Sequence, residues 1–148
     1  MINLYSDREL LARLIQCEAG GEGRDGMFAV ASVVMNRVHA RGGEYARVGQ
    51  GSIRKIIFQP GQFVCASETE NGRYNPQNIY NMNPTELNYE IADLAISGQR
   101  LVDFGEALWF YNPFSRGCRG NFPSEVGYFF TRLGDHCFYN PTELYFDT

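Results

Sequence analysis

Glu18 is the residue whose type and place in the sequence could do chemistry. Helical spacing is about 100° per residue, and on that wheel Leu10, Leu11, Leu14 and Ile15 form one apolar stripe. Glu18 falls in the middle of the stripe, one turn beyond Leu14. A carboxylate there cannot face bulk water if the stripe faces the core. The last turn of a helix is also unfavourable for negative charge, because the macrodipole opposes it. Burial and dipole both raise a carboxyl pKa, and a carboxyl still protonated near neutral pH is what general-acid catalysis needs. The bland alternative is a helix-end carboxylate that snorkels to solvent or pairs with Arg13, Arg24 or Arg37.

The elements that must position this carboxyl are legible around it. Asp7 opens the first helix, Gly20-Gly21 stop it, and Glu22 follows directly. Asp25 offers an N-cap to a second helix over residues 27–38, apolar apart from Ser32, Asn36 and Arg37, and therefore mostly buried. A glutamate thus sits at a helix end, beside a glycine hinge, against a buried helix. Residues 41–51 read as a polar, glycine-rich connection, and Ser52 as the N-cap of a short helix over 53–58 that Gln59-Pro60-Gly61 breaks. Residues 62–64 read as a brief extended piece, and 68–83 as a long surface excursion. Asn83-Pro84-Thr85-Glu86 places N-cap, N1 proline and N3 glutamate at the head of a helix with Leu87, Ile91, Leu94 and Ala95 inward, ended by Gly98. Residues 107–111 form a β-type run stopped by Asn112-Pro113, and 128–133 and 136–139 flank a Gly134-Asp135 hairpin turn. Helices first and a small antiparallel sheet after them make the chain α+β.

The length of 148 residues suits one domain, residues 1–148. With 44% hydrophobic and 20% charged residues the chain can bury a core and is not disordered. A formal charge of −4 gives no electrostatic reason to expect nucleic acid. No apolar run approaches the ~18 residues of a membrane span, and the N-terminus carries no secretion-signal pattern. Cys17, Cys65, Cys118 and Cys137 are scattered, with no Cys-x-x-Cys, so buried free thiols are expected and a structural zinc site is not. No metal set and no cofactor motif is found: only His39 and His136 exist, on segments of different character.

The pattern Glu18-Ala19-Gly20-Gly21-Glu22-Gly23, then Gly26, Ala29-Val30 and residues 33–38 (Val-Val-Met-Asn-Arg-Val), resembles the bacterial spore cortex-lytic hydrolases, the cell wall hydrolase family of SleB and CwlJ type. Gln62-Phe63, the strand ending in Asn112-Pro113, and residues 134–139 fit the same family in the same order. The lack of an exported leader and of a peptidoglycan-binding repeat is similar to the CwlJ branch. The resemblance implies a goose-lysozyme or lytic-transglycosylase-like fold and cleavage of the glycan strands of cortex peptidoglycan, which contain muramic lactam, during germination. It also implies a mother-cell product placed in the spore coat without Sec export, with a spore-coat protein partner. Two departures stand out: Gly20 where the family often has arginine, and Cys17 beside the glutamate.

On that reading Glu18 is the acid that protonates the leaving oxygen of an oxocarbenium-like transition state. A lytic transglycosylase needs that one carboxyl, whereas a hydrolase needs a second, for which Glu22, Asp103, Glu106 and Asp135 are candidates. Glu22 equally serves as a brace of the hinge. Asn36 is expected to pair with Ser32 or to bond the hinge backbone, and His136 to be a helper acid/base or a structural histidine. Gln62, Phe63, Tyr111 and Asn112 are the expected substrate contacts, with Tyr111 equally placed for the core and Trp109 assigned to it. The rival functions are a metal-dependent amidase or peptidase on stem peptides, a non-catalytic coat or glycan-binding protein, and, more remotely, a Cys–His protease.

Overall fold

The computed structural model describes residues 5–148. The part of the N-terminal leader reading that falls on residues 1–4 lies outside them. Helix α1 spans Asp7–Ala19. Its N-cap is Ser6, whose Oγ accepts the Glu9 N–H at 3.1 Å, so the cap lies one residue before the expected start. Leu10, Leu11, Leu14 and Ile15 are fully buried, as their stripe requires. Gly20 closes the helix, its N–H reaching Gln16 O at 2.9 Å.

Helix α2, Gly23–Val38, is the centre of the molecule: every residue from Gly26 to Met35 is buried. It starts two residues before Asp25, and its N-cap Glu22 makes no side-chain cap. Its carboxylate is used across the fold instead. Helix α5, Glu86–Ile96, lies against both α1 and α2. Its N-cap is Thr85 rather than Asn83, in a capping box with Asn88, because the Asn88 side chain can return the bond to the Thr85 N–H at 2.8 Å. Gly98 ends the segment at φ +103°.

The expected connection over 41–51 instead contains helix α3, Gly43–Gly49, which buries Tyr45. Tyr45 receives a stacked ring from Tyr145 at 6.0 Å, and its N–H donates to the Tyr145 hydroxyl at 3.1 Å. A C-terminal partner 100 residues away therefore fixes this helix, which its own glycines disfavour. Helix α4, Ile53–Ile57, carries the Ser52 cap as read from sequence. Residues 64–66 form a 3-10 turn rather than continuing the extended piece. The excursion over 68–83 is partly structured: strands β1 (Thr69–Glu70) and β2 (Arg73–Tyr74) pair antiparallel across Asn71-Gly72, and Asn75, Asn78 and Ile79 are buried. The Asn75 amide donates to the carbonyls of Val64, Ser67 and Gln77 at 3.0–3.1 Å, replacing the regular ladder that the segment lacks.

The second sheet has the order β3 (Trp109–Tyr111), β5 (His136–Pro141), β4 (Gly127–Leu133), all antiparallel. The central strand β5 buries His136, Cys137, Phe138 and Tyr139 in succession. The Gly134-Asp135 turn joins Leu133 to His136 as the hairpin signal requires. This α+β arrangement agrees with the sequence reading.

Two disulfides correct the expectation of free thiols. Cys17 bonds Cys65 and Cys118 bonds Cys137, with Cα–Cα distances of 6.1 and 5.9 Å. Sequence separations of 48 and 19 residues leave no spacing signature, and only the fold brings the partners together.

Candidate active site

The first helix ends where the β4–β5 hairpin folds back over it. There an open pocket of about 250 Å³ is lined by the 16–22 segment, Gln77, Asn112, Asp135 and His136. Glu18 and Glu22 both contribute to its wall. Larger depressions lie against α5 (about 570 Å³, lined by Arg8, Tyr89 and Asp93 among others) and at the β1–β2 hairpin (about 620 Å³).

Glu18 stands in the last turn of α1, on the wall of this pocket. Part of its side chain reaches the pocket, but protein surrounds it on most sides, and this burial pushes its pKa from 4.5 up to about 7. The positive charge of Arg37 pulls the other way without cancelling the effect. Among the described residues none hydrogen-bonds or ion-pairs with the Glu18 carboxyl. The three arginines that could have neutralised it are engaged elsewhere. Arg13 bonds Glu9 at 2.8 Å and the carbonyls of Ile79 and Met82 at 2.9 Å. Arg24 lies 3.7 Å from Glu90. Arg37 is buried, donates from Nε to Leu108 O at 2.7 Å and from Nη1 to Gln62 Oε1 at 3.3 Å, and lies over the rings of Tyr45 and Phe63.

Glu22 has a different environment. Its Oε1 accepts the Asp135 N–H at 2.9 Å and lies 3.1 Å from His136 Nδ1. The hairpin turn can come this close because residue 134 is glycine: its φ is +55°, and a Cβ there would stand 2.8 Å from the same oxygen. Glu22 thus ties the head of α2 to the 134–136 turn. His136 is oriented by that carboxylate on one side and by the edge-to-face ring of Phe110 at 5.3 Å on the other.

The structure brings together Glu18, Glu22, Asp135, His136 and Asn112, and leaves the other expected residues outside this pocket. Asn36 reaches neither Ser32 nor the hinge. Its amide donates to the carbonyls of Gly105 and Ala107 at 3.2 and 3.0 Å and its oxygen accepts from Arg100 at 2.8 Å, so it pins the 105–107 loop. Ser32 instead accepts the Leu101 N–H. Gln62 and Phe63 are not among the residues lining the pocket. The Gln62 oxygen is used by Arg37 and by the Tyr45 hydroxyl at 2.8 Å, and Phe63 is buried against Phe110. Tyr111 packs 4.4 Å from Phe122, its hydroxyl accepting the Arg119 N–H at 3.2 Å. Trp109 is in the core. Glu106 lines a separate depression with His39 and Arg41. Gln16 and Gln77 line the Glu18 pocket but carry no sequence signal, and Arg37 is legible in sequence as a possible ion-pair partner and as part of the 33–38 segment.

The cell wall hydrolase family profile matches residues 21–139, so Glu18 and the end of α1 lie just ahead of the matched span. The chain is 30% identical over 137 residues to the cell wall hydrolase CwlJ of Bacillus subtilis, covering 93% of this chain and 87% of that protein. It is 31% identical over 139 residues to the CwlJ of Halalkalibacterium halodurans, covering 92% and 86%. The fold is similar to the catalytic domain of the germination-specific lytic transglycosylase SleB from Bacillus anthracis (TM-score 0.64, 24% identity, 93% of this chain and 98% of that one). It is also similar to the catalytic domain of Bacillus cereus SleB (TM-score 0.62, 26% identity, 92% of each). A profile that spans most of the chain, and relatives that share about nine-tenths of it, place this protein in the cell wall hydrolase family.

Proposed function

We propose that this enzyme cleaves the glycan strand of spore cortex peptidoglycan during germination, with Glu18 as its general acid. The observation that carries the reading is the Glu18 carboxyl, which lines the pocket, has no ionic partner among the described residues and is pushed by burial to a pKa of about 7. The fold shared with SleB catalytic domains supports it, since the Bacillus anthracis protein is a germination-specific lytic transglycosylase. Similarity to the spore cortex-lytic enzyme of Bacillus subtilis, 31% over 108 residues, supports the cortex as substrate; that match covers 73% of this chain and 30% of that enzyme.

Glu18 gives its proton to the glycosidic oxygen as the bond to the anomeric carbon breaks, and the departing sugar leaves as an alcohol. The cationic centre is captured by the 6-hydroxyl of the same sugar, whose proton returns to Glu18. One carboxyl then acts as acid and as base, and Glu22 remains free to hold the hairpin. By the family resemblance, the enzyme acts from the outer spore layers, held there by a coat protein.

Mass spectrometry of fragments released from decoated cortex tests this. The expected product has a 1,6-anhydro end, one water lighter than a reducing end, and its release continues in a strong zinc chelator. Reducing ends would replace intramolecular capture by water. Free stem peptides, with chelator-sensitive release, would replace the glycosidase reading by an amidase.

A further inference from the structure

Phe114 is the most exposed large hydrophobic residue among the described residues, at 90%. Its backbone lies in the left-handed region, φ +53°, a conformation that bulky side chains rarely adopt. Neither feature helps the isolated fold: the ring buries nothing and the backbone is unfavourable. The conformation is held by Asn112, whose Oδ1 accepts the Phe114 N–H at 2.7 Å. Asn112 also lines the Glu18 pocket, together with Asp135 and His136.

The loop that carries the ring is fastened on its far side. The Cys118–Cys137 disulfide ties it to the strand residue following His136. Arg132 Nη1 donates to Arg116 O at 2.8 Å, and the Tyr111 hydroxyl takes the Arg119 N–H at 3.2 Å. A bare ring on a fastened loop, two residues beyond a pocket-lining side chain, is built for a ligand that extends out of that pocket. A glycan strand does so, because sugar units continue on both sides of the bond that is cut. The C–H face of a pyranose is apolar enough to cover a phenyl ring, and fixed aromatic anchors bind at low entropic cost.

We propose that Phe114 is a sugar-stacking residue, which Asn112 sets at the rim of the Glu18 pocket to hold a ring of the glycan strand outside the cleavage point. The proposal rests on the reading of the enzyme as glycan-cleaving.

The test uses the full chain and purified cortex glycan strands. Wild type, Phe114→Ala and Phe114→Trp are compared for KM, kcat and melting temperature. Phe114→Ala is expected to raise KM about tenfold, the scale of covering half a phenyl side chain, with kcat and melting temperature close to wild type. Phe114→Trp is expected to restore KM, and in the Glu18→Gln background its indole fluorescence should change on titration with glycan fragments. Unchanged KM in Phe114→Ala with an active wild type overturns the stacking role and leaves glycan cleavage standing. A tryptophan that does not respond to glycan likewise overturns it. A wild-type enzyme that releases no glycan fragments removes the functional reading, and this proposal with it.

Discussion

Glu22 and His136 are 114 positions apart in sequence, yet Glu22 Oε1 lies 3.1 Å from His136 Nδ1. The same oxygen takes the Asp135 N–H, so one carboxylate at the head of α2 holds both residues that follow the hairpin glycine. The hairpin part of the pocket wall is therefore positioned by a side chain from the adjacent hinge. Losing Glu22 should loosen that wall. Glu22→Ala is expected to lower stability by about 1 kcal/mol, the usual net value of a hydrogen bond, because the buried His136 and the exposed Asp135 N–H lose their partner, and to reduce turnover. Glu22→Gln, which keeps an oxygen for Asp135, should be milder in both. Thermal melting and cortex-lysis rates for the two variants check the order. Equal loss of turnover in both, at wild-type stability, would assign the Glu22 charge to the chemistry.

Glu18→Gln should keep the fold and lose about 10²–10⁴-fold in lytic rate, the range of general-acid catalysis. Its effect on stability should have the opposite sign at neutral pH. The folded carboxyl titrates near 7 and the unfolded one near 4.5. Below pH 4.5 both states are protonated and the group is neutral to stability. As pH rises from there to about 7 the folded state must keep a proton that the unfolded chain releases, so stability falls across that window and then levels off. The glutamine variant escapes this loss. It is expected to melt above wild type at pH 7.5 and level with it at pH 4, which calorimetry at the two pH values checks. A less stable variant at neutral pH would make Glu18 a structural carboxylate.

Arg37 is the charge that holds the Glu18 pKa down against burial. Activity that needs protonated Glu18 declines as pH rises through that pKa. Arg37→Met should therefore move the alkaline limb of the pH–rate profile upwards, while Arg37→Lys should leave it nearly in place. Arg37→Met should also be less stable, because the Leu108 carbonyl loses the Arg37 donor and the Gln62 oxygen is left with the Tyr45 hydroxyl. An alkaline limb at the same pH in both variants would show that the charge does not reach Glu18.

The disulfides flank the site on both sides: Cys17 precedes Glu18 and Cys137 follows His136. Chain-entropy arguments give roughly 4 kcal/mol for the 48-residue closure and roughly 3 for the 19-residue one. Reduction is expected to lower the melting temperature markedly and to slow lysis. Alkylation followed by mass spectrometry should find no free thiol in the oxidised protein and four after reduction. Four alkylated cysteines without reductant would refute the pairing.

The sequence alone carried the apolar stripe on α1, the buried run of α2, the Gly20-Gly21 stop and the Gly134-Asp135 hairpin. Each is set by local periodicity or local turn chemistry, which a linear reading can see. It also singled out Glu18, because a carboxylate in an apolar stripe conflicts with its own neighbours. Tertiary structure decided everything that depends on distant partners. Helix α3 forms because Tyr145 packs on Tyr45, the cysteines pair because the fold brings residues 17 and 65, and 118 and 137, together, and Asn36 pins a loop about 70 positions away. The contrast between Glu18 and Glu22 is the clearest case. They are four residues apart in one motif, and both residues line the same pocket. The hairpin folds onto Glu22, which leaves that carboxylate hydrogen-bonded and Glu18 without a hydrogen-bond partner among the described residues. Hydrogen bonds across such sequence distances depend on chain topology, which residue spacing does not encode.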